Sequence, residues 1–224
     1  MSPDLINFWL ILAVPLALIH WIARWRGWIR VGTATKPLVM TALILWFYFA
    51  DGWRGAGWVV IAGLIFSLIG DVMLQLPRRF FIPGLFAFLL AHICYSVWFC
   101  LPVPIFHPVL GALFMLITLG MYFYFQSLIK ALKSRAYGRR FLIPVFLYGF
   151  TLCLMTLSGC QTLLRADWPA NAAGFSALGG ILFLISDSLL GFNRFIQPLP
   201  GGKTLEMMTY HLAQTAIITG SLLR

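Results

Sequence analysis

Two aspartates lie inside otherwise apolar stretches of this 224-residue chain, where an ionisable side chain is costly. Asp71 follows GLIFSLIG, and Asp187 follows GGILFLIS. An acid at the centre of a bilayer costs about 2.5–3.5 kcal/mol on insertion scales, so such residues normally face a polar interior and serve proton transfer, ion binding or catalysis. Two acids at the same depth favour a functional role over the alternative that each caps a helix or pairs with Arg78 or Arg194.

Further polar side chains recur with the spacing of one helix face or interrupt other apolar stretches. Glu206, Tyr210 and Gln214 are four residues apart, which places them on a common face. His92 interrupts a second apolar stretch, and Lys36 precedes a third. Ordinary alternatives stay open here: His92 as a hydrogen-bond partner of a neighbouring helix, Lys36 and Tyr210 as anchors at the membrane surface.

The sequence around these residues excludes a water-soluble domain. It is 61% hydrophobic and 10% charged, with a mean hydropathy of +0.92, whereas a soluble domain carries about 25% charged residues. Because about 20 residues cross a hydrocarbon core, we predict an all-α membrane bundle of eight helices forming one domain over residues 1–224. The predicted spans are 5–22, 37–50, 57–76, 80–101, 108–129, 141–164, 171–190 and 204–222.

Basic residues fall on alternate predicted loops. The first, third, fifth and seventh loops carry 13 of the 16 lysines and arginines, and the run within 130–140 is interpreted as a topology anchor. The positive-inside rule then predicts that these loops are cytoplasmic and that both termini are external. Six polar residues would therefore lie near the cytoplasmic surface: Lys36, Asp71, Asp187, Arg194, Glu206 and Tyr210. Their convergence predicts a pocket that opens to the cytoplasmic side. We expect an integral protein of the bacterial inner membrane with its site on the cytoplasmic side.

The two aspartate segments also resemble each other. Residues 63–74 and 179–190 match at six of twelve positions with an offset of 116, and Arg78 and Arg194 coincide at the same offset. Four predicted spans separate the copies, so they would run in the same direction, as in a parallel repeat. The remainder of the two halves shows little similarity, so duplication and chance both stay open.

Several motifs occur in order along predicted spans two to eight. They are Thr35-Lys36-Pro37-Leu38; Gly70-Asp71-Val72-Met73-Leu74; Gly84 with Phe88, Ala91-His92 and Tyr95; Ser186-Asp187; Phe192-Asn193-Arg194-Phe195; and Thr209-Tyr210 with Ala213-Gln214. Together they resemble the lysoplasmalogenase (YhhN) family of polytopic membrane proteins. His211 stands where that family more often has a second tyrosine, so it receives no role.

This resemblance implies hydrolysis of the vinyl-ether bond of lysoplasmalogens to a fatty aldehyde and glycerophosphoethanolamine or glycerophosphocholine. It also implies that Asp71 and Asp187 are catalytic. Vinyl ethers hydrolyse through protonation of the outer alkene carbon and addition of water to an oxocarbenium ion. Two carboxyl groups provide acid and base for a similar transition state in glycosidases. We therefore expect an aspartate acid/base pair, with the assignment between the two open, and no metal or other cofactor.

The chemistry of the implied substrate leads to a hypothesis for how it is held. Lys36 and Arg194 are expected to bind the phosphate, while the alkenyl chain lies between helices in contact with lipid. The other predicted substrate-binding residues would orient the glycerol or water (Asn193, Tyr210, Gln214), attract the amine head (Glu206) or tune an aspartate (His92). The expected partners are a lysophospholipid and membrane lipid, without nucleic acid, and no oligomeric state is predicted.

Three other functions remain as alternatives. A proton-coupled transporter of small molecules, or a lipid flippase, would also use paired intramembrane acids, although both acids lie near one surface and the loops are short. A metal-dependent hydrolase would use Asp71, Asp187, His92 and possibly His211, but these lack a paired ligand spacing. The third alternative is a structural membrane subunit.

Overall fold

The computed structural model describes residues 3–102, 107–134 and 138–224, and in these residues it contains eight α-helices and no strand. The helices are α1 Pro3–Arg26, α2 Ile29–Phe49, α3 Trp58–Gln75, α4 Phe81–Cys100, α5 Pro108–Lys133, α6 Leu142–Gln161, α7 Ala170–Gly191 and α8 Gly202–Leu222. Short 3₁₀ turns occupy Gly55–Gly57, Arg78–Phe80, Gly138–Phe141 and Thr162–Leu164, and a π-helical turn occupies Phe192–Ile196.

The predicted all-α membrane bundle is confirmed. Seven helices in the described part of the chain are long and apolar enough to cross a membrane. The eighth, α8, has 21 residues and carries several buried polar side chains. Its sequence is the least apolar because its polar residues contact other helices in the interior rather than lipid.

Three helices, α1, α2 and α5, extend beyond the predicted spans by four residues or more, each at an end with basic residues. α2 begins at Ile29 rather than residue 37, and continues through Pro37. α1 ends at Arg26 and α5 at Lys133, each with basic residues in its last turn. Cations favour the negative end of the helix dipole and the lipid headgroups, so helices continue past the hydrocarbon that hydropathy detects. Arg135, within the predicted topology anchor, lies outside the described residues.

Seven of the helices described here pack in a closed ring. The order of contacts around it is α1, α2, α3, α4, α6, α7, α8 and back to α1, and α8 also contacts α2 and α3. α5 stands outside this ring and packs on α6 and on the turns Gly138–Phe141 and Phe192–Ile196. The interior of the ring, lined in part by α8, is therefore where polar side chains can meet away from lipid.

Small residues allow α6, α7 and α8 to approach closely. A Cβ on Gly220 would lie 2.8 Å from the Ala172 carbonyl oxygen, and one on Gly159 would lie 2.9 Å from the Ser176 carbonyl oxygen. Ser and Gly are typical at such contacts in membranes, where association depends on close packing rather than on the hydrophobic effect. This tight three-helix contact fixes the helices that carry Asp187 and the polar face of α8.

The ends of α7 and α8 nearest the predicted cytoplasmic surface depart from regular α-helix. After Gly191 the chain continues as the π-helical turn Phe192–Ile196, a geometry that is frequent at functional sites. Gly201 then has φ +66, which a residue with a Cβ adopts only with strain. Together these features place Asn193 and Arg194 beside the first turn of α8.

Candidate active site

A buried ion pair occupies the interior between α2, α3 and α8. Lys36 Nζ lies 2.9 Å from Asp71 Oδ1, and the Tyr210 hydroxyl donates a hydrogen bond of 2.8 Å to Asp71 Oδ2. The Asp71 side chain is 0% exposed and that of Lys36 is 10% exposed. A charge buried this deeply requires a partner of opposite charge, so Lys36 and Asp71 stabilise each other's charged forms.

A hydrogen-bonded triangle continues from this pair along α8. The Tyr95 hydroxyl donates to Gln214 Oε1 at 2.8 Å, and Gln214 Nε2 donates to Ser67 Oγ at 3.0 Å. Ser67 Oγ and the Tyr95 hydroxyl are 3.4 Å apart. Gln214 and Tyr210 are one turn apart, so both project from α8 to α3. The triangle fixes the Gln214 amide and holds that face of α8 in register.

Asp187 has different neighbours. The Tyr148 hydroxyl donates a hydrogen bond to Asp187 Oδ2, and His92 Nε2 lies 3.4 Å from the same oxygen. The His92 ring packs against the Phe183 ring edge-on, with centroids 4.9 Å apart. The Asp187 side chain is 6% exposed and lines a narrow cavity of about 40 Å³. This carboxyl group therefore borders a small space, large enough for a few water molecules.

Aromatic side chains connect the two carboxylate groups. Phe183 contacts His92 on one side and the Tyr210 ring on the other, at a centroid distance of 5.5 Å. Phe88 contacts both Phe183 and Tyr210. Asp71 and Asp187 each have their own hydrogen-bond partners. The structure thus brings the predicted pair into one interior as two adjacent groups.

A cavity of about 830 Å³ opens at the end of the bundle predicted to face the cytoplasm. Six cationic side chains line it: Arg24, Lys36, Arg78, Arg140, Arg194 and Lys203. Glu206 is its single acid within the described part of the chain, and Asn193 Nδ2 lies 3.4 Å from Glu206 Oε2. Such a surface attracts an anion, and Glu206 provides one position where a cationic group is favoured.

The predicted site residues thus separate by position. Lys36, Asn193, Arg194 and Glu206 line the cationic cavity, and Lys36 connects it to Asp71. Among the residues described, Asp187 lines the narrow cavity, while Asp71 lines neither of these two spaces. The remaining predicted residues are buried behind these walls: His92 against Asp187, Tyr210 against Asp71, and Gln214 further along α8.

Sequence reasoning missed Tyr148 and the arginines of the first, third and fifth loops. Tyr148 sits in an apolar stretch of α6, where a phenol needs a hydrogen-bond partner, and that need was a usable signal. Arg24 and Arg140 were interpreted only as topology anchors, and Arg78 as an anchor or an aspartate partner, but all three line the cationic cavity. Loop charges cannot be assigned to a cavity until the helix packing is known.

His211 belongs to another group of side chains. Trp21 Nε1 donates to His211 Nδ1 at 3.0 Å, and the His20 and His211 rings meet edge-on at 5.3 Å. The four residues of the metal alternative therefore do not converge. In the described ranges, no group of three or more His, Cys, Asp or Glu side chains is arranged to hold a metal ion.

The fold and the site define a polytopic α-helical membrane protein with two buried aspartates beside a cationic cavity. A model of the YhhN family matches residues 31–221, and the chain belongs to this family. It is 29% identical to mouse lysoplasmalogenase TMEM86B over 95% of this chain and 84% of the mouse protein. It is 30% identical to the human protein of that name over 88% of this chain and 76% of the relative.

A bacterial relative is also similar. The membrane protein YhhN of Escherichia coli O157:H7 is 29% identical over 75% of this chain and 74% of the relative. No solved structure matches the chain. The family suggested by the ordered motifs is therefore confirmed.

Proposed function

We propose that this chain is a lysoplasmalogenase that cleaves the vinyl-ether bond of a lysophospholipid at the cytoplasmic side of the membrane. The observation that carries the proposal is the position of the Asp187 carboxyl group. It lines an apolar cavity that adjoins the cationic cavity through Leu190 and Phe195, which border both. The similarity to lysoplasmalogenases supports the reaction class.

The cationic cavity suits the phosphodiester of a lysophospholipid. Arginine and lysine bind phosphate oxygens through charge-assisted hydrogen bonds, and Lys36 and Arg194 lie on the cavity wall. Glu206 would attract the ammonium of an ethanolamine or choline head, with Asn193 fixing its carboxylate. A zwitterionic headgroup thus has a complement for each of its charges.

We assign proton donation to Asp187 because it is the aspartate that reaches a cavity. Its proton goes to the outer carbon of the alkene, the C–O oxocarbenium ion forms, and water adds to the cationic carbon. The resulting hemiacetal breaks its bond to the glycerol oxygen, which leaves as the alcohol while the chain leaves as an aldehyde. After Asp187 has given its proton to the alkene, its carboxylate would accept a proton from the attacking water.

Asp71 has a supporting part in this scheme. Its negative charge holds Lys36 at the wall of the cationic cavity through the 2.9 Å ion pair. A fixed anion near the reaction centre stabilises an oxocarbenium ion electrostatically. Tyr210 orients the Asp71 carboxylate, and Gln214 keeps α8 in register with α3.

The decisive experiment supplies purified protein with a lysoplasmalogen and with its saturated-ether and acyl analogues. We expect free aldehyde from the vinyl ether alone, because a saturated ether has no alkene to protonate. In D₂O, rapidly trapped aldehyde should carry one deuterium at its second carbon. Fatty acid released from the acyl analogue, without aldehyde, would indicate a lysophospholipase, and proton-driven uptake into vesicles without aldehyde would indicate a transporter.

A further inference from the structure

The outermost helix of the bundle leaves a gap beside its neighbour. α5 lies outside the seven-helix ring, and only Leu110, Leu128 and Leu132 are buried among its described residues. Between α5 and α6 is an apolar crevice of about 370 Å³. Lys133 is the one charged residue of its described lining.

The outer wall of this crevice faces the surroundings of the bundle. Ile143 is 73% exposed and Phe146 is 58% exposed, both on α6 at the crevice. Large apolar side chains exposed on a membrane-spanning helix face acyl chains. The crevice is therefore accessible from lipid without passage through the cationic cavity.

The inner wall of the crevice leads to Asp187. Phe125, Leu128 and Val145 line both the crevice and the narrow cavity that contains Asp187 and Tyr148. That narrow cavity in turn adjoins the cationic cavity. The narrow cavity with its carboxyl group therefore borders both the charged cavity and the apolar crevice, which also share Leu132.

We propose that the crevice between α5 and α6 binds the alkenyl chain of the substrate and admits it from the membrane. This inference rests on the proposed function. A lysoplasmalogen has the same order of parts as the three cavities: a charged head, the vinyl ether, then a hydrocarbon chain. With the head in the cationic cavity and the chain in the crevice, the vinyl ether lies at Asp187. The aldehyde product leaves sideways into lipid.

The test compares two substitutions on α6 with equal exposure. Leu147 lines the crevice and is 50% exposed, whereas Phe150 is 49% exposed and is not part of the described lining. We expect Leu147→Trp to raise the KM for a long-chain lysoplasmalogen about tenfold, equivalent to about 1.4 kcal/mol. A short-chain analogue should keep its kcat/KM within about twofold. Phe150→Trp should change neither.

Equal loss for both chain lengths in Leu147→Trp, or no change for the long chain, would overturn the proposal. A second measurement is independent of activity: a lysophospholipid with a diazirine at the chain end should label peptides of α5 and α6. Labelling of other helices alone, or crosslinks between two copies through α5 and α6, would overturn it as well. Labelling of α5 and α6 without any aldehyde from wild type would uphold the binding site and refute the proposed reaction.

Discussion

Asp71 and Asp187 occupy equivalent positions in two helices but have different surroundings. Each lies four residues before the last residue of its helix, α3 or α7. Lys36 neutralises Asp71 in a fully buried pair, whereas Asp187 contacts a phenol and an imidazole and borders a cavity. The same sequence context thus provides one fixed charge and one carboxyl group that can meet a ligand.

The arginines that follow the two aspartates have similar surroundings. Arg78 and Arg194 come seven residues after Asp71 and Asp187, respectively, and both line the cationic cavity. The two segments therefore share an arginine on the same cavity but differ in the side chains that pack on each aspartate. Substitutions at those neighbours are the direct way to test whether the two acids have different functions.

Replacement of Asp187 has the largest expected effect on activity. General acid–base catalysis contributes about 10²- to 10⁴-fold, so Asp187→Asn should lower kcat by about that factor with little change in the thermal unfolding temperature. Aldehyde release by purified protein measures the first quantity. The Tyr148→Phe control removes one hydrogen bond to Asp187 and should reduce kcat much less. Near-normal turnover in Asp187→Asn would exclude Asp187 as the proton donor.

Replacement of Asp71 should lower the stability of the protein more than replacement of Asp187 does. Asp71→Asn leaves the Lys36 ammonium buried without its counter-ion, which costs about 3–5 kcal/mol when such a pair is broken. Removal of both charges in Lys36→Met/Asp71→Asn should restore part of this loss while activity stays low. Chemical or thermal unfolding of the two variants provides the comparison. If the double variant is less stable than Asp71→Asn, the ion pair is not what stabilises this region.

Substitution in the cationic cavity should act on binding rather than on chemistry. Arg194→Gln removes a charge that also stacks over the Phe81 ring at 4.0 Å. Loss of a charge-assisted hydrogen bond to phosphate predicts an increase in KM of about 10-fold or more with kcat nearly unchanged. In wild type, KM should also rise with ionic strength, because salt screens the cavity. A fall in kcat at constant KM would place Arg194 in the chemical step instead.

The fold was more predictable from the sequence than the grouping of the site. Hydropathy identifies spans because every apolar helix must satisfy its backbone internally in a membrane. The four-residue spacing of Glu206, Tyr210 and Gln214 predicted a common face of α8, and in the structure all three residues are buried. Helix ends were harder to predict, because the first turns of α2, Ile29–Lys36, are too polar for hydropathy to detect.

The partners of the two aspartates depend on packing that no local pattern reveals. Lys36 reaches Asp71 because α2 is the neighbour of α3 in the ring, and Tyr148 reaches Asp187 because α6 contacts α7. The exclusion of α5 from the ring, which opens the crevice, follows from contacts between α4 and α6 that skip one helix. The sequence alone does not predict which helices are neighbours in the bundle.

Asp167, which lies outside the spans, provides a reference for the buried Lys36–Asp71 pair. Its replacement has the smallest expected effect on stability. Arg165 donates two hydrogen bonds to Asp167, at 2.9 and 2.8 Å, and holds the pKa of that carboxyl below its ordinary value. The Asp167 side chain is 46% exposed, so solvent screens the pair. Asp167→Asn should lower the unfolding temperature by no more than about 2 °C at pH 7, without affecting aldehyde release.

The sign of the pH dependence follows from this lowered pKa. The pair contributes stability above the pKa of an unfolded Asp, about 3.9, and loses it as the pH falls through the lower pKa of the folded state. The difference in unfolding temperature between wild type and Asp167→Asn should therefore vanish under more acidic conditions. A destabilisation at pH 7 as large as that of Asp71→Asn would mean that burial does not distinguish these two ion pairs.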